Sequence, residues 1–296
     1  MPYIHTCEFP VRHYECDMYG HVNHANYLRY MQESAFSASA AVGFSAQRYE
    51  SLNLQWLAYE TDIEYLSAAR YGDVVTVKTW VADFRRVRSL RMYELYVGDK
   101  RIANGSTDWV LLDTQSMYPT SITPEIIKAY ARGEVVTVTE APRRESLPNP
   151  PKMPEGAFKI RRRVEWDDID AAGHVNNAVY LNYISDCGMQ SGRAVGWSMA
   201  QVHEMGYGQF ARRHQIEYKA AAVMDDELEI CMWMSDIRRA SQMNYYTIRR
   251  ISDNKLIANV RTLAVWIDLA TQGMVSIPKA YLDAVAPMIV ANPTQG

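Results

Sequence analysis

The chain has 296 residues, 48% of them apolar and 22% charged, and a net charge of −3. That balance suits a folded protein of about two domains and excludes a disordered chain. It also lacks the basic excess of a phosphate-backbone binder, so no nucleic-acid partner is expected.

In chain order, Met1–Glu8 shows no basic segment followed by an apolar one, so no secretory signal is expected. Glu8–Cys16 reads as extended, and the loop Asp17-Met18-Tyr19-Gly20-His21-Val22-Asn23 follows. A helix is predicted over His24–Val42, because Ala25, Leu28, Met31, Ala35 and Ala38 recur at spacings of three and four. Gly43 stands where a helix end favours a left-handed residue. Beyond it the period falls to two. Trp80–Asp83, Leu90–Tyr96 and Arg101–Asp113 read as strands, the last two joined by a turn at Gly98-Asp99.

The same unit then occurs again. Residues 20–30 read GHVNHANYLRY and residues 173–183 read GHVNNAVYLNY, at an offset of 153. The offset also maps Val11 onto Val164, Asp17 onto Asp170, Ile63-Glu64-Tyr65 onto Ile216-Glu217-Tyr218, Trp80 onto Trp233, and Asp83, Arg85 and Arg86 onto Asp236, Arg238 and Arg239. Ile102-Ala103-Asn104 meets Ile257-Ala258-Asn259 at 155, a step explained by the longer turn at Ser252-Asp253-Asn254-Lys255. The chain is therefore a tandem duplication. The second copy is predicted to hold an extended segment at Phe158–Asp168, a helix over Asn177–Val195 ended at Gly196, and strands at Glu227–Ile237, Met243–Ile251 and Lys255–Asp268. Prolines 142, 148, 150, 151 and 154 mark the join. The expected division is a first domain at 1–140, a linker at 141–155 and a second domain at 156–290. One long helix with about five antiparallel strands makes each domain α+β, with the sheet curled around the helix.

Cys7, Cys16, Cys187 and Cys231 form no CxxC pair, and they are expected as reduced thiols in a cytoplasmic protein. No apolar run approaches the length of a membrane span.

The candidate chemistry lies in the two loops. A helix start presents unsatisfied N–H groups and partial positive charge, which can polarise a thioester or ester carbonyl and hold the oxyanion formed on attack. A carboxylate just upstream, Asp17 or Asp170, can take a proton from water or attack the carbon itself. Capping alone would also select Asp, Gly and Asn at such a loop, and this structural alternative stays open. The duplication weighs against it, because both copies keep Asp, Gly, His, Val and Asn where a cap needs one polar residue.

His21 and His24 could suggest a metal pair, but Asn177 stands at the second position in the other copy, so no metal is expected. Cys16 aligns with Ile169, and Cys187 with Ser34, as packing residues. Glu33 and Asp186 align on the helices as solvated acids or, alternatively, second carboxylates. Arg85, Arg86 and Arg88, with Arg238 and Arg239, are either strand-end charges or anchors for the phosphates of coenzyme A.

The pattern V-x(5)-D-x-x-G-H-V-N-x-A-x-Y, carried by Val11, Asp17, Gly20, His21, Val22, Asn23, Ala25 and Tyr27, resembles the signature of hotdog-fold acyl-CoA thioesterases of the 4-hydroxybenzoyl-CoA thioesterase type. Val164, Asp170, Gly173, His174, Val175, Asn176, Ala178 and Tyr180 repeat it. The resemblance implies tandem hotdog domains, each a long helix wrapped by a five-stranded antiparallel sheet. It implies hydrolysis of an acyl-CoA thioester to free acid and CoA, with catalysis by Asp17 and Asp170. It places the oxyanion or positioning groups at His21, Asn23, His24, His174, Asn176 and Asn177, and substrate contacts at Tyr27 and Tyr180. It implies no cofactor beyond the coenzyme A of the substrate. Sheet geometry, which leaves a sheet face or edge exposed, gives the further expectation of a homodimer of double hotdogs. The alternatives are an acyl-ACP thioesterase, whose catalytic groups typically lie in one half, or a non-catalytic acyl-thioester binding module. Two intact loops lean away from the acyl-ACP subfamily.

Overall fold

The computed structural model describes residues 3–131 and 147–290. They form two compact units, one up to residue 146 and one from residue 147. Residues 141–146 of the expected linker, Pro142 included, lie outside the described residues. Residues 147–154 carry neither helix nor strand.

The first unit runs β1 (His5–Pro10), α1 (His24–Ala41), α2 (Ala46–Ser51), β2 (Leu54–Tyr65), β3 (Val74–Phe84), β4 (Arg88–Val97), β5 (Lys100–Asp113) and α3 (Pro124–Ala131). Its antiparallel strands pair in the order β1-β3-β4-β5-β2. The second unit repeats this with β6 (Phe158–Arg163), α4 (Val179–Ala194), α5 (Met199–Glu204), β7 (Tyr207–Tyr218), β8 (Glu227–Ser235), β9 (Ser241–Arg250), β10 (Leu256–Asp268) and α6 (Lys279–Val285). Its order is β6-β8-β9-β10-β7. Each unit is a hotdog: one long helix packed against a five-stranded antiparallel sheet.

The helix face expected from the spacing is the buried one: Ala25, Leu28, Met31, Ala35 and Ala38 are all in the core. Gly105 on β5 lets Met31 lie against the sheet, since a Cβ there would stand 2.7 Å from Met31 Cε. Gly43 (φ +89°) and Gly196 (φ +77°) close the two long helices in the left-handed region.

The predicted elements shift in identifiable ways. The extended segment Glu8–Cys16 is a strand ending at Pro10, which has no N–H to continue the ladder, then a 3-10 turn at His13–Glu15. Glu15 closes that turn by accepting the Arg12 N–H at 2.7 Å. Phe158–Asp168 divides likewise into β6 and a turn at Trp166–Asp168, where Asp168 accepts the Glu165 N–H at 2.9 Å. The second long helix begins at Val179 rather than Asn177, because its first turn closes through the tighter bonds Val179 N–H to Asn176 O and Leu181 N–H to Ala178 O. No described helix is long and apolar enough to cross a membrane.

Candidate active site

Each motif loop folds back on itself before the long helix starts. The Asp17 N–H bonds the His21 carbonyl at 2.7 Å, and the Gly20 N–H bonds the Asp17 carbonyl at 2.9 Å. Gly20 sits at φ +70°, which the turn requires. The Asp17 Oδ1 accepts the N–H groups of Tyr19 (2.9 Å) and His21 (3.1 Å). The second loop repeats this path: Asp170 N–H to His174 O at 3.1 Å, Gly173 N–H to Asp170 O at 2.9 Å, and Gly173 at φ +79°. Its carboxylate is held differently. Asp170 Oδ1 accepts the Ala172 N–H at 2.9 Å, and Oδ2 accepts Asn176 Nδ2 at 3.0 Å. Asp17 is exposed and Asp170 partly so.

The two asparagines cap the helix starts in one pattern. Asn23 Oδ1 accepts the Ala25 N–H at 3.0 Å, and its carbonyl accepts the Asn26 N–H at 2.9 Å. Asn176 does the same for Ala178 and Val179, each at 3.0 Å. His24 and Asn177 stand directly before the two amides that each asparagine accepts. Both residues are held from behind. Tyr65 donates its hydroxyl to the His24 carbonyl at 3.2 Å, and Tyr218 to the Asn177 carbonyl at 3.0 Å.

The loop histidines differ in setting. His21 Nε2 lies 2.8 Å from Arg70 Nη2, an obligate donor, so that nitrogen carries the lone pair. Burial and the Arg70 charge hold the His21 pKa below the ordinary value. His174 Nδ1 faces the Val175 carbonyl at 3.3 Å, which assigns its proton to Nδ1, while Nε2 is buried without a hydrogen bond among the described residues.

Two groups of expected site residues fall elsewhere. Tyr27, 2% exposed, accepts the Ala69 N–H at 3.0 Å and meets Tyr65 edge-on at 5.2 Å. Burial pushes its pKa up to about 12. Tyr180 is buried in the same way, bonded to the Ala222 backbone and edge-on to Tyr218 at 5.6 Å. These rings support the loop and helix start rather than lining a surface open to substrate.

The arginines at the strand ends are the second correction. Arg85 pairs with buried Asp83 at 2.8 Å, and Arg88 pairs with buried Asp108 while lying 4.0 Å over the Tyr59 ring. Arg86, Arg238 and Arg239 are exposed. The first loop packs beside Ala69–Asp73, where β3 begins, whereas Arg85 follows its far end. Eleven residues of strand place the two about 33 Å apart along β3. Within its own unit the arginine set does not reach the loop.

Sequence reasoning missed Tyr65, Tyr218 and Arg70. The first two were visible as the matched Ile-Glu-Tyr triplets, without a role attached. Arg70 left no repeat signal, because Val223 is its counterpart. Among the described residues no group of three His, Cys, Asp or Glu is placed to hold a metal ion.

Each half also matches a family model. Residues 2–130 match the acyl-ACP thioesterase N-terminal domain, and residues 164–285 match the thioesterase-like superfamily. A Bacillus subtilis protein, YneP, proposed to be an acyl-CoA thioesterase, is 27% identical over 114 residues, covering 38% of this chain and 82% of that protein. A proposed oleoyl thioesterase from Lactobacillus plantarum superposes with a TM-score of 0.75 at 17% identity, over 89% of this chain and 96% of its own. An acyl-ACP thioesterase from Bacteroides thetaiotaomicron gives 0.70 at 17% identity, over 88% and 97%. At such identities the superpositions establish the fold.

The fold and the two loops thus define a tandem hotdog protein. With a thioesterase model matched by each half, the chain is a tandem hotdog-fold, thioesterase-like protein and a thioesterase-type hydrolase. The match of the first half to an acyl-ACP model removes the sequence-based leaning away from that subfamily.

Proposed function

We propose that the protein hydrolyses an acyl-CoA thioester to the free acid and CoA, using Asp17 and Asp170. The observation that carries this reading is the doubled arrangement of an acid on a backbone-anchored loop, followed by an asparagine that caps the start of the long helix. The N–H of His24 or Asn177 polarises the thioester carbonyl, aided by the helix dipole. The carboxylate takes a proton from water as the oxygen attacks, or attacks the carbon to form an anhydride that water then opens. Collapse of the tetrahedral oxyanion expels the CoA thiolate, which is protonated on leaving. His21, His174, Asn23 and Asn176 hold the loop and position the water.

The test is Asp17→Asn with Asp170→Asn, assayed by thiol trapping of released CoA. Loss of turnover with an unchanged far-UV circular dichroism spectrum is expected. Undiminished turnover refutes the assignment. A second reading, an acyl carrier protein thioester as substrate, is favoured by the family model matched in the first half. Turnover of acyl-ACP at least tenfold above acyl-CoA of the same chain would select it.

A further inference from the structure

The two loops are alike in backbone and unlike in charge: the first balances its arginines and acids, and the second carries acids alone. In the first copy, residues 12–30 and 69–73 carry Arg12, Arg29 and Arg70 against Glu15, Asp17 and Asp73. The corresponding residues 165–183 and 222–226 carry no Lys or Arg and six acids: Glu165, Asp167, Asp168, Asp170, Asp225 and Asp226. All three arginines are lost in the repeat, to Glu165, Asn182 and Val223. Arg162, Arg163 and Arg250 pair with Asp168, Asp225 and Asp226, and among the described residues Glu165, Asp167 and Asp170 have no ion pair.

The three arginines of the first copy belong to one surface. Val11 donates its N–H to the Asp73 carbonyl at 2.9 Å, and the Arg70 N–H bonds the Asp73 carboxylate at 2.8 Å, so Arg12 and Arg70 flank the same turn. The rings of their chain neighbours His13 and Tyr71 meet edge-on at 5.6 Å. Asn26 Nδ2 bonds the Glu15 carbonyl at 2.9 Å and its Oδ1 takes Arg29 Nη1 at 2.5 Å, which brings Arg29 to the same turn from the helix side. Each guanidinium is exposed, and among the described residues the hydrogen bonds it makes go to neutral groups: Tyr14 for Arg12, which also feels the charge of Glu15, Asn26 for Arg29, and His21 and the Tyr19 carbonyl for Arg70. Tyr14 and Tyr71 stand 75% and 66% exposed among them. Structural ion pairs of the Arg88 kind need no open charge. Three open arginines between two open aromatic rings suit a phosphorylated ligand with a planar base.

We infer that Arg12, Arg29 and Arg70, with the rings of Tyr14 and Tyr71, form the binding site for the phosphates of the thioester's carrier, and that only the first loop has one. The inference rests on the thioester reading and moves the phosphate anchor away from Arg85, Arg86 and Arg88. The phosphates are those of the CoA nucleotide or the single phosphate of a carrier-protein arm. The acidic rim of the second loop repels either, so the carrier approaches over the first loop.

The test uses adenosine 3′,5′-bisphosphate and pantetheine 4′-phosphate as probes in isothermal titration, which needs no turnover. Binding of either probe to the wild type, weakened at least tenfold in Arg12→Ala/Arg29→Ala and largely retained in Arg12→Lys/Arg29→Lys, is expected. Much tighter bisphosphate binding identifies the CoA nucleotide as the source. Equal binding identifies the arm phosphate. Glu165→Ala/Asn182→Ala, in the second copy, leaves binding unchanged. In hydrolysis of an acyl-CoA, Arg12→Ala/Arg29→Ala raises KM with little loss in kcat. Absence of binding by both probes, or binding indifferent to the alanine pair, overturns the site even if the enzyme turns over thioesters. Probe binding without any turnover leaves the site standing and removes the hydrolytic reading instead.

Discussion

Replacing each loop aspartate by asparagine distinguishes the two loops by stability, before any activity is measured. At Asp17 both backbone donors converge on Oδ1. An asparagine can place its amide oxygen there and its NH2 at the Oδ2 position, so the fold is expected to change by less than about 0.5 kcal/mol. At Asp170 the two oxygens meet different donors, the Ala172 N–H and Asn176 Nδ2. An asparagine has one acceptor for two donors, and its NH2 then faces the NH2 of Asn176. Asn176 cannot turn to accept it without abandoning the Ala178 N–H. One hydrogen bond to a charged group becomes a donor–donor contact, a loss of about 1–2 kcal/mol at this partly exposed position. For a unit of this size that lowers the unfolding midpoint by about 3–8 °C. Scanning calorimetry of Asp17→Asn and Asp170→Asn measures it directly. Equal shifts in the two variants, or no shift for Asp170→Asn, would show that the Asp170–Asn176 bond does not exist in solution.

Thiol titration offers a second check. Cys7 and Cys16 are partly exposed and Cys187 and Cys231 are buried; burial raises both buried thiols, Cys187 to about 12. An exposed-thiol reagent at pH 8 should therefore modify two cysteines in the native protein and four in denaturant; rapid modification of Cys187 would contradict its packing. Alkaline stability offers a third. Burial holds the hydroxyls of Tyr27 and Tyr49 neutral up to about 12 against an ordinary 10.0. The folded state binds these protons more tightly, so their contribution is whole below pH 10 and falls away as the pH rises through 12. The urea midpoint should drop steadily above pH 10, and a midpoint constant to pH 11.5 would refute this.

How far the site could be read from the chain follows from the range of each interaction. The helix face of Ala25, Leu28, Met31, Ala35 and Ala38 repeats with the helical period, a local property. The loops declared themselves because a duplicated chain compares itself: residues kept at an offset of 153 have survived in two places. Tyr27 shows the limit. Its place in the motif suggested substrate contact, but its hydroxyl is taken by Ala69, 42 residues away, and nothing in its neighbours announces that partner. Arg88 likewise finds Asp108, 20 residues on, through strand pairing.

By itself, then, the amino-acid order determined two copies of a helix-and-sheet unit, the position of each loop, and the acids and asparagines within it, because these depend on periodicity and on neighbours in the chain. The tertiary structure alone decided which of those groups face solvent and which are spent on support. It buried Tyr27 and Tyr180, neutralised Arg85 and Arg88 with buried carboxylates, and set Arg70 against His21. The physical reason is that charge and burial are settled between residues distant in sequence, and two loops of nearly one composition acquire different surroundings once the sheets are folded.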